Sequence, residues 1–194
     1  MTHYFSQEEP EKSNPKTFKY NFNSNTYIFA TDTGVFSYGK MDEATNILLR
    51  NIPALTGSLL DIGCGYGPIG IVLAKEYNLE LTQWDINPRA VQLTKLNAKE
   101  NGVISNVVHL DVMQKVMQKD FDTVVINPPI HAGKDVIFTM YDKAHKYLKP
   151  AGNLYIVILK KHGAQSSITY LTKIFGNCHI IYKKKGCYIL ECER

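Results

Sequence analysis

The sequence contains Leu60-Asp61-Ile62-Gly63-Cys64-Gly65-Tyr66-Gly67-Pro68-Ile69-Gly70, in which glycines alternate directly after a short apolar run. This pattern predicts a tight loop between a strand and a helix, because glycine lets the backbone approach a ligand closely. The helix presents its amino end to that ligand. Gly65, Gly67 and Gly70 also match the dinucleotide pattern Gly-x-Gly-x-x-Gly, which is weak evidence alone. The Asp61 carboxylate suits a cationic amine better than a pyrophosphate.

Strand and helix patterns alternate along the rest of the chain. Strands are predicted over 58–62, 79–84, 107–110, 121–126 and 154–159, with an antiparallel pair over 179–182 and 187–190. The alternation predicts an α/β fold with an open, mostly parallel seven-stranded sheet and helices on both faces. Alternating aromatic residues around Asn23-Ser24-Asn25 predict a short N-terminal hairpin. We therefore expect an extension with a hairpin over 1–40 and the main domain over 41–194.

The composition excludes several classes of protein. With 44% hydrophobic and 21% charged residues among 194, the chain is a globular domain and not a fibrous or disordered one. It has no apolar run of the ~18 residues that a membrane helix needs, and its first residues do not form a secretory signal. The four cysteines form no zinc pattern with each other or with histidine. We expect a cytoplasmic protein with no membrane and no metal partner.

Two aspartates follow the second and third predicted strands of the main domain. Asp85 stands 18 residues after Gly67, where a carboxylate suits the two ribose hydroxyls of a nucleoside. Its alternative role is to cap the next helix, although Asn87, directly before a proline, is the better cap. Asp111 follows the third strand and could accept a hydrogen bond from an exocyclic adenine amine, or could simply form a turn.

The fourth strand ends in Asn127-Pro128-Pro129-Ile130-His131-Ala132-Gly133-Lys134. Two prolines make the backbone rigid directly after a buried strand. Asn127 then offers an amide oxygen and Pro128 a carbonyl oxygen, both at the edge of the sheet. Two acceptors held in place suit an amino group that loses a proton as it becomes a nucleophile.

These motifs together resemble the class I S-adenosylmethionine-dependent methyltransferases, which have a Rossmann-like fold. Residues 61–67 look like their cofactor loop, and residues 127–130 look like the Asn-Pro-Pro-aromatic motif of enzymes that methylate planar nitrogens. Gly34-Val35-Phe36-Ser37 with Asp42, and the run of residues 184–188, resemble small, single-domain members of the RsmC family. That family methylates the exocyclic amine of a guanine in small-subunit ribosomal RNA.

The resemblance implies a methyltransferase domain over 41–194 with S-adenosylmethionine as cofactor and S-adenosylhomocysteine as product. The base would be flipped out of its stack into the site. The cofactor residues it implies are Asp61, Gly63, Cys64, Gly65, Gly67, Asp85, Ile86 and Asp111. The catalytic residues it implies are Asn127 and Pro128, and the substrate contacts are Phe36, Pro129, Ile130, His131 and Lys134.

The chain departs from the family in two ways. Larger RsmC members carry a second, amino-terminal copy of the domain, whereas this chain has a short extension there. Ile130 stands where the family has an aromatic residue that stacks on the base, and Phe36 or Tyr38 could supply the stack instead. The second departure concerns the identity of the substrate more than the class of chemistry.

Charge is distributed unevenly along the chain. Residues 1–112 hold 9 basic and 12 acidic residues, whereas residues 113–194 hold 13 basic and 6 acidic ones, a net charge of +7. The basic half includes Lys160, Lys161 and the run 183–185, which suits the phosphates of RNA, although ordinary solvated lysine is the alternative. We expect ribosomal RNA or a small-subunit particle as partner, and a monomer or weak homodimer.

Three other functions stay open at this point. The same chemistry could act on another planar nitrogen, in a protein glutamine or a DNA adenine. A nicotinamide-dependent oxidoreductase would use the glycine loop and Asp85, but it gives no role to Asp61 or Asn127. A non-catalytic RNA-binding module is the third, and Ile130 is its only support.

Overall fold

The computed structural model describes residues 12–113 and 120–194. Its helices are α1 Glu43–Asn51, α2 Pro68–Tyr77, α3 Pro88–Glu100, α4 Lys134–Tyr147 and α5 Ala164–Phe175. Its strands are β1 Lys16–Phe22, β2 Asn25–Thr31, β3 Ser58–Ile62, β4 Glu80–Asp85, β5 Ser105–His109, β6 Phe121–Ile126, β7 Leu148–Leu159, β8 His179–Lys184 and β9 Cys187–Glu193. Residues 1–11 of the predicted extension lie outside the described residues.

Seven strands form one sheet in the order β5-β4-β3-β6-β7-β9-β8. The first five run parallel to one another, and β9 pairs antiparallel with both β7 and β8. The predicted α/β class, the number of strands and the antiparallel final pair are confirmed. Among the described residues, no helix combines the length and the apolar composition that crossing a membrane requires.

The strand order reverses between β3 and β6. The chain moves outward from β3 through β4 to β5, then returns to place β6 on the other side of β3. Ligands of open α/β sheets bind beyond the carboxyl ends of the strands at such a reversal. Here the glycine loop follows β3 and Asn127 follows β6, so the two most informative motifs lie side by side.

Strand β7 begins earlier than the sequence predicts. The prediction placed its start at residue 154, but β7 begins at Leu148, directly after α4. Pro150 and Gly152 indicate a break in the sequence, and in the structure Ala151 between them has a φ of 61°. Long-range pairing extends the strand, because Ala151 N–H donates to the carbonyl of Arg194 at 2.8 Å, and Arg194 N–H donates to Gly152 at 3.0 Å.

The two faces of the sheet bury different helices. Leu59 and Val125 pack with residues of α1, α2 and α3, whereas Leu60 and Ile62 pack with residues of α4 and α5. Side chains alternate across a strand, so Asp61, between Leu60 and Ile62, faces the α1–α3 side. The glycine loop therefore has a buried carboxylate behind it.

The hairpin β1–β2 packs against the α1–α3 side of the sheet. Its inward aromatic residues belong to the same buried cluster as α2. Two amides on α3 complete the free edge of β2: Asn97 exchanges hydrogen bonds with the backbone of Ala30 at 2.8 and 2.9 Å, and Asn101 does the same with Ile28. The predicted division at residue 40 stays a prediction.

Candidate active site

The glycine loop is attached to the end of β4. Gly63 and Cys64 both donate their N–H groups to the carbonyl of Trp84, at 2.8 and 2.9 Å. Gly63 and Gly65 have φ of 74° and 60°, a region that side-chain-bearing residues rarely adopt. These angles turn the chain from β3 toward α2 and bring its backbone to the edge of the sheet.

Helix α3 supports the loop from behind. Thr94 Oγ1 donates to the Gly65 carbonyl and Asn97 Nδ2 to the Tyr66 carbonyl, both at 2.8 Å. At Gly70 there is no room for a side chain, because an added Cβ would lie 2.7 Å from the Gln83 amide nitrogen. The glycine loop is thus held in place by side chains of α3 and packed closely against β4.

Asp61 is buried behind this loop. Its Oδ2 accepts hydrogen bonds from Gly70 N–H and Gln83 Nε2, each at 3.0 Å, while Oδ1 is buried with no hydrogen-bond partner among the described residues. Burial raises the pKa of Asp61 to about 7. An unpartnered buried carboxylate oxygen is costly, so at neutral pH this carboxyl lies near the balance between its two charge states, and a nearby positive charge would favour the ionised one.

Asp85 ends β4 inside the site. Its Oδ2 accepts from Gly65 N–H and its Oδ1 from Asn87 N–H, both at 2.8 Å. Burial raises the pKa of Asp85 to about 6. Asn87 is the cap of α3, as predicted, because its Oδ1 accepts from Arg89 N–H at 2.9 Å. Asp111 forms an Asx turn with Met113 N–H at 2.8 Å, the alternative that the sequence left open.

Asn127 lies at the carboxyl end of β6 and is held by residues from the start of α1. Its Nδ2 donates to Thr45 Oγ1 at 3.0 Å and to Asp42 Oδ2 at 3.3 Å. Both hydrogens of the amide are therefore used on one side. Within residues 12–113 and 120–194, no donor contacts Asn127 Oδ1, which leaves this oxygen as an acceptor.

These groups surround one cavity of about 550 Å³. Most of the predicted site residues line it: Phe36, Gly63, Cys64, Gly65, Asp85, Ile86, Asp111, Asn127, Pro128, Pro129, Ile130 and His131. Three do not. Asp61 faces the other side of the loop, Gly67 caps α2 against Ile71 and Thr94, and Lys134 is exposed at the start of α4.

The structure chooses between the two aromatic residues that could replace a stacking residue at position 130. Phe36 lines the cavity and is 53% exposed. Tyr38 is held elsewhere, because its hydroxyl donates to the Asn14 carbonyl at 2.7 Å and the Lys16 ammonium lies 4.5 Å from its ring. Of the two candidates, Phe36 is therefore the one whose ring lines the cavity.

Several lining residues were missed by sequence reasoning. Asp42 entered only through the resemblance of its segment to the RsmC family, Thr45 gave no signal of its own, and Trp84 and Met140 gave only that of core residues. His162, expected only as part of a basic surface, lines the cavity as well. Its pKa is lowered by burial, by the nearby charge of Lys161 and by the proximity of His131, which favours the neutral imidazole at pH 7.

A basic cleft adjoins the cavity. We use this name for the concave surface lined by Leu159, Lys160, Lys161, Lys185 and Gly186. Leu159 lines both the cleft and the cavity. The β8–β9 turn reaches this edge because Cys187 pairs with Leu159, and Lys160 N–H donates to the Gly186 carbonyl at 2.7 Å.

Known proteins share this architecture. The family model described as methyltransferase small domain matches residues 26–191. YbxB of Bacillus subtilis, an uncharacterized protein, is 36% identical, and the match covers 99% of this chain and 98% of that protein. Ribosomal RNA small subunit methyltransferase C of Psychromonas ingrahamii is 32% identical over 91% of this chain, but over only 51% of its own length.

One similar solved structure is the 16S rRNA N2 G1207 methyltransferase (RsmC) of T. thermophilus in complex with AdoMet and guanosine. It matches with a TM-score of 0.82 and 25% identity, over 97% of this chain and 53% of that one. The chain thus spans about half the length of the RsmC proteins that it matches.

Proposed function

The chain belongs to the methyltransferase small domain family and is an RsmC-like class I methyltransferase with S-adenosylmethionine as its methyl donor, and from this premise we propose that it methylates the exocyclic amine of a guanine in small-subunit ribosomal RNA. The observation that carries the proposal is Asn127, whose Nδ2 is bound by Asp42 and Thr45, whose Oδ1 has no donor among the described residues, and which lines a cavity shared with the glycine loop. Family membership argues against the nicotinamide-dependent oxidoreductase.

The residues of the chain fit this cofactor. The cavity volume lies within the ~300–1,000 Å³ that small-molecule sites have. Asp85 lines the cavity, and its carboxylate, held by backbone N–H groups that include those of Gly65 and Asn87, suits ribose hydroxyls. The unpartnered Oδ1 of Asp61 supplies negative charge behind the loop, which a cationic methionine amine would balance. Ile86 and Asp111 line the region assigned to the adenine.

The substrate half of the cavity suits an amine nucleophile. S-adenosylmethionine, when bound, supplies a methyl group on a sulfonium that such an amine can attack. We assign Asn127 Oδ1 and the Pro128 carbonyl as acceptors for the two amine hydrogens. They orient the amine and stabilise the positive charge that grows on its nitrogen, and positioning of this kind can contribute ~7–11 kcal/mol. The neutral His162 imidazole is suited to take the released proton.

Phe36 is the residue that we assign to stack on the flipped base. Ile130 and Pro129 line the cavity as well, and they offer apolar contact without an aromatic face. A base that stacks on an aromatic ring gains ~1–3 kcal/mol. In this chain the stacking role would thus move from the Asn-Pro-Pro motif to the segment before α1.

The basic cleft gives the RNA backbone a place to bind. Lys160, Lys161 and Lys185 stand at the same sheet edge as Asn127 and continue from the cavity through Leu159. Lysines neutralise phosphates and make binding depend on salt. This placement favours a nucleic acid over a protein glutamine as substrate. The cytoplasmic location and the monomeric or weakly dimeric state remain predictions.

The proposal is tested by incubating the full chain with isotope-labelled S-adenosylmethionine and either naked small-subunit ribosomal RNA or the assembled particle from cells that lack this protein. Mass mapping of the RNA is expected to find one methylguanine that is absent without enzyme and that forms roughly 10²-fold more slowly with Asn127→Ala. Methylation of an adenine in DNA or a glutamine in a protein would replace the substrate that we propose. Cofactor binding without any methyl transfer would indicate the non-catalytic module.

A further inference from the structure

We infer that Asp42 and Thr45 are positioning residues that hold the Asn127 amide with its oxygen toward the substrate, an inference that rests on the proposed function for its chemical meaning. Asn127 Nδ2 donates to Thr45 Oγ1 at 3.0 Å and to Asp42 Oδ2 at 3.3 Å. Asn127 is 85 and 82 positions from Asp42 and Thr45 in the chain, yet all three residues line the cavity.

The carboxylate determines which way the amide points. An ionised carboxylate only accepts hydrogen bonds, so the NH₂ group of Asn127, and not its oxygen, must face Asp42. The opposite orientation would set two oxygens against each other and leave the NH₂ group on the substrate side. A donor there could not accept a hydrogen from the substrate amine. The orientation of Asn127 is therefore decided by a residue 85 positions earlier in the chain.

Asp42 is itself held in place by two sets of contacts. Its Oδ2 accepts Thr45 N–H at 2.8 Å, as the cap of α1. The backbone just before it is tied to the glycine loop, because Tyr66 Oη donates to the Lys40 carbonyl at 3.3 Å. Thr45 is buried, with 2% exposure. The pair that orients Asn127 is thus rigid before any substrate binds.

Asp42 also strengthens Asn127 as an acceptor. A hydrogen bond from an amide N–H to a carboxylate polarises the amide and raises the electron density on its oxygen. That effect matters most in the transition state, when the amine nitrogen becomes positive. The role is one of orientation and polarisation, since the substrate itself is contacted by Asn127.

Three variants separate this role from the capping of the helix. Asp42→Ser keeps a good N-cap residue but is too short to reach Asn127. Thr45→Val removes the hydroxyl with little change of volume, and Thr45→Ser restores a hydroxyl. Thr169→Val, an exposed helical threonine whose hydroxyl bonds only its own helix at Gln165, is the matched control.

The expected result is a lower kcat with unchanged affinity for S-adenosylhomocysteine. Asp42→Ser and Thr45→Val should each lower kcat by about tenfold, the cost of one hydrogen bond to a charged or reacting group, while Thr45→Ser recovers most of it and Thr169→Val loses nothing. In an Asn127→Ala background, Asp42→Ser should cost no more, because residues that act through one another are not additive. A full additional loss in that background would show that Asp42 acts only on the structure.

A second measurement needs no substrate. In spectra of isotope-labelled protein, the Asn127 side-chain amide, identified by its loss in Asn127→Ala, should exchange its hydrogens up to ~10-fold more slowly than the exposed Asn106. Thr45→Val should remove this protection and Thr169→Val should not. Fast exchange in the unaltered protein overturns the inference. If the amide is protected but no RNA is methylated, the proposed function fails and the positioning pair stands.

Discussion

The two halves of the cavity are built in different ways. The cofactor half, which is the part lined by the glycine loop and Asp85, is held within consecutive βα units: Gly63 and Cys64 bond to Trp84, and Gly65 bonds to Asp85, 20 residues later. The substrate half joins distant segments, because Asn127 depends on Asp42 and Thr45, more than 80 residues earlier. A motif can therefore determine its own backbone conformation while the orientation of its main side chain depends on residues elsewhere in the chain.

Removing Asn127 should break the substrate half and spare the cofactor half. In Asn127→Ala the amine loses an acceptor that it needs in the transition state, so kcat should fall by roughly 10²-fold. Titration calorimetry should find the affinity for S-adenosylhomocysteine changed by less than twofold. A variant with the kcat of the unaltered protein would reduce Asn127 to a structural residue.

Asp85→Ala should produce the opposite pattern. The loss of charged hydrogen bonds costs ~1.5–3 kcal/mol, so S-adenosylhomocysteine should bind about 10–100-fold more weakly. At saturating cofactor the kcat should stay close to that of the unaltered protein. If Asp85→Ala and Asn127→Ala gave the same kinetic pattern, the two halves could not be treated as separate.

Phe36→Leu tests whether Phe36 is the aromatic residue that stacks on the substrate base. Loss of stacking should raise KM for RNA by about tenfold, within the ~1–3 kcal/mol that a stacked base contributes. Tyr38→Leu is the matched control and should leave KM unchanged, since its ring lies against Lys16. Equal effects of the two changes would contradict the assignment.

Asp61→Asn tests the buried carboxylate behind the glycine loop through the pH dependence of stability. Burial raises the pKa of Asp61 to about 7, above the ~3.9 of an unfolded aspartate. The folded state thus binds more protons between about pH 4 and pH 7, and its free energy of unfolding falls as pH rises through that window.

Calorimetry of the cofactor-free protein should therefore find Asp61→Asn close to the unaltered protein at about pH 4 and progressively more stable up to pH 8. The gain is expected to be several degrees in Tm, at about 2–4 °C for each kcal/mol. The same variant should bind S-adenosylhomocysteine more weakly because the carboxylate charge is lost. A constant difference in Tm across pH would mean that Asp61 keeps its ordinary pKa.

We proposed that the basic cleft binds the RNA backbone next to the substrate half of the cavity. Changes in this cleft should have the smallest effect on the enzyme. Replacing Lys160, Lys161 and Lys185 with Gln should flatten the salt slope of RNA binding by about 2, at ~0.7 per phosphate contact on a single strand. The same change in net charge at Lys95, Lys99 and Lys173, which lie outside both linings, should leave the slope unchanged. Equal slopes in both triple variants would move the RNA surface elsewhere.

Local patterns determined much of this protein. Alternating strands and helices, the glycine loop and the carboxylate at the end of β4 depend on local patterns, so the sequence was enough to predict the parallel sheet and a group of residues most of which line one cavity. It did not predict the early start of β7 at Leu148, because that pairing needs the carbonyl of Arg194. Local preference places a break at Pro150, whereas the backbone of Arg194 forms the hydrogen bonds that continue the strand.

The tertiary structure was needed to orient the Asn127 amide and to show which of Phe36 and Tyr38 lines the cavity. Asn-Pro-Pro predicted an amide at the sheet edge, but either end of that amide could have faced the cavity until Asp42 and Thr45 were seen to take both hydrogens. Phe36 and Tyr38 were equal candidates in sequence, and a hydrogen bond to Asn14 separates them. The physical reason is the same in each case: a side chain turns freely about its own bonds, and the partners that stop it lie far away in the chain.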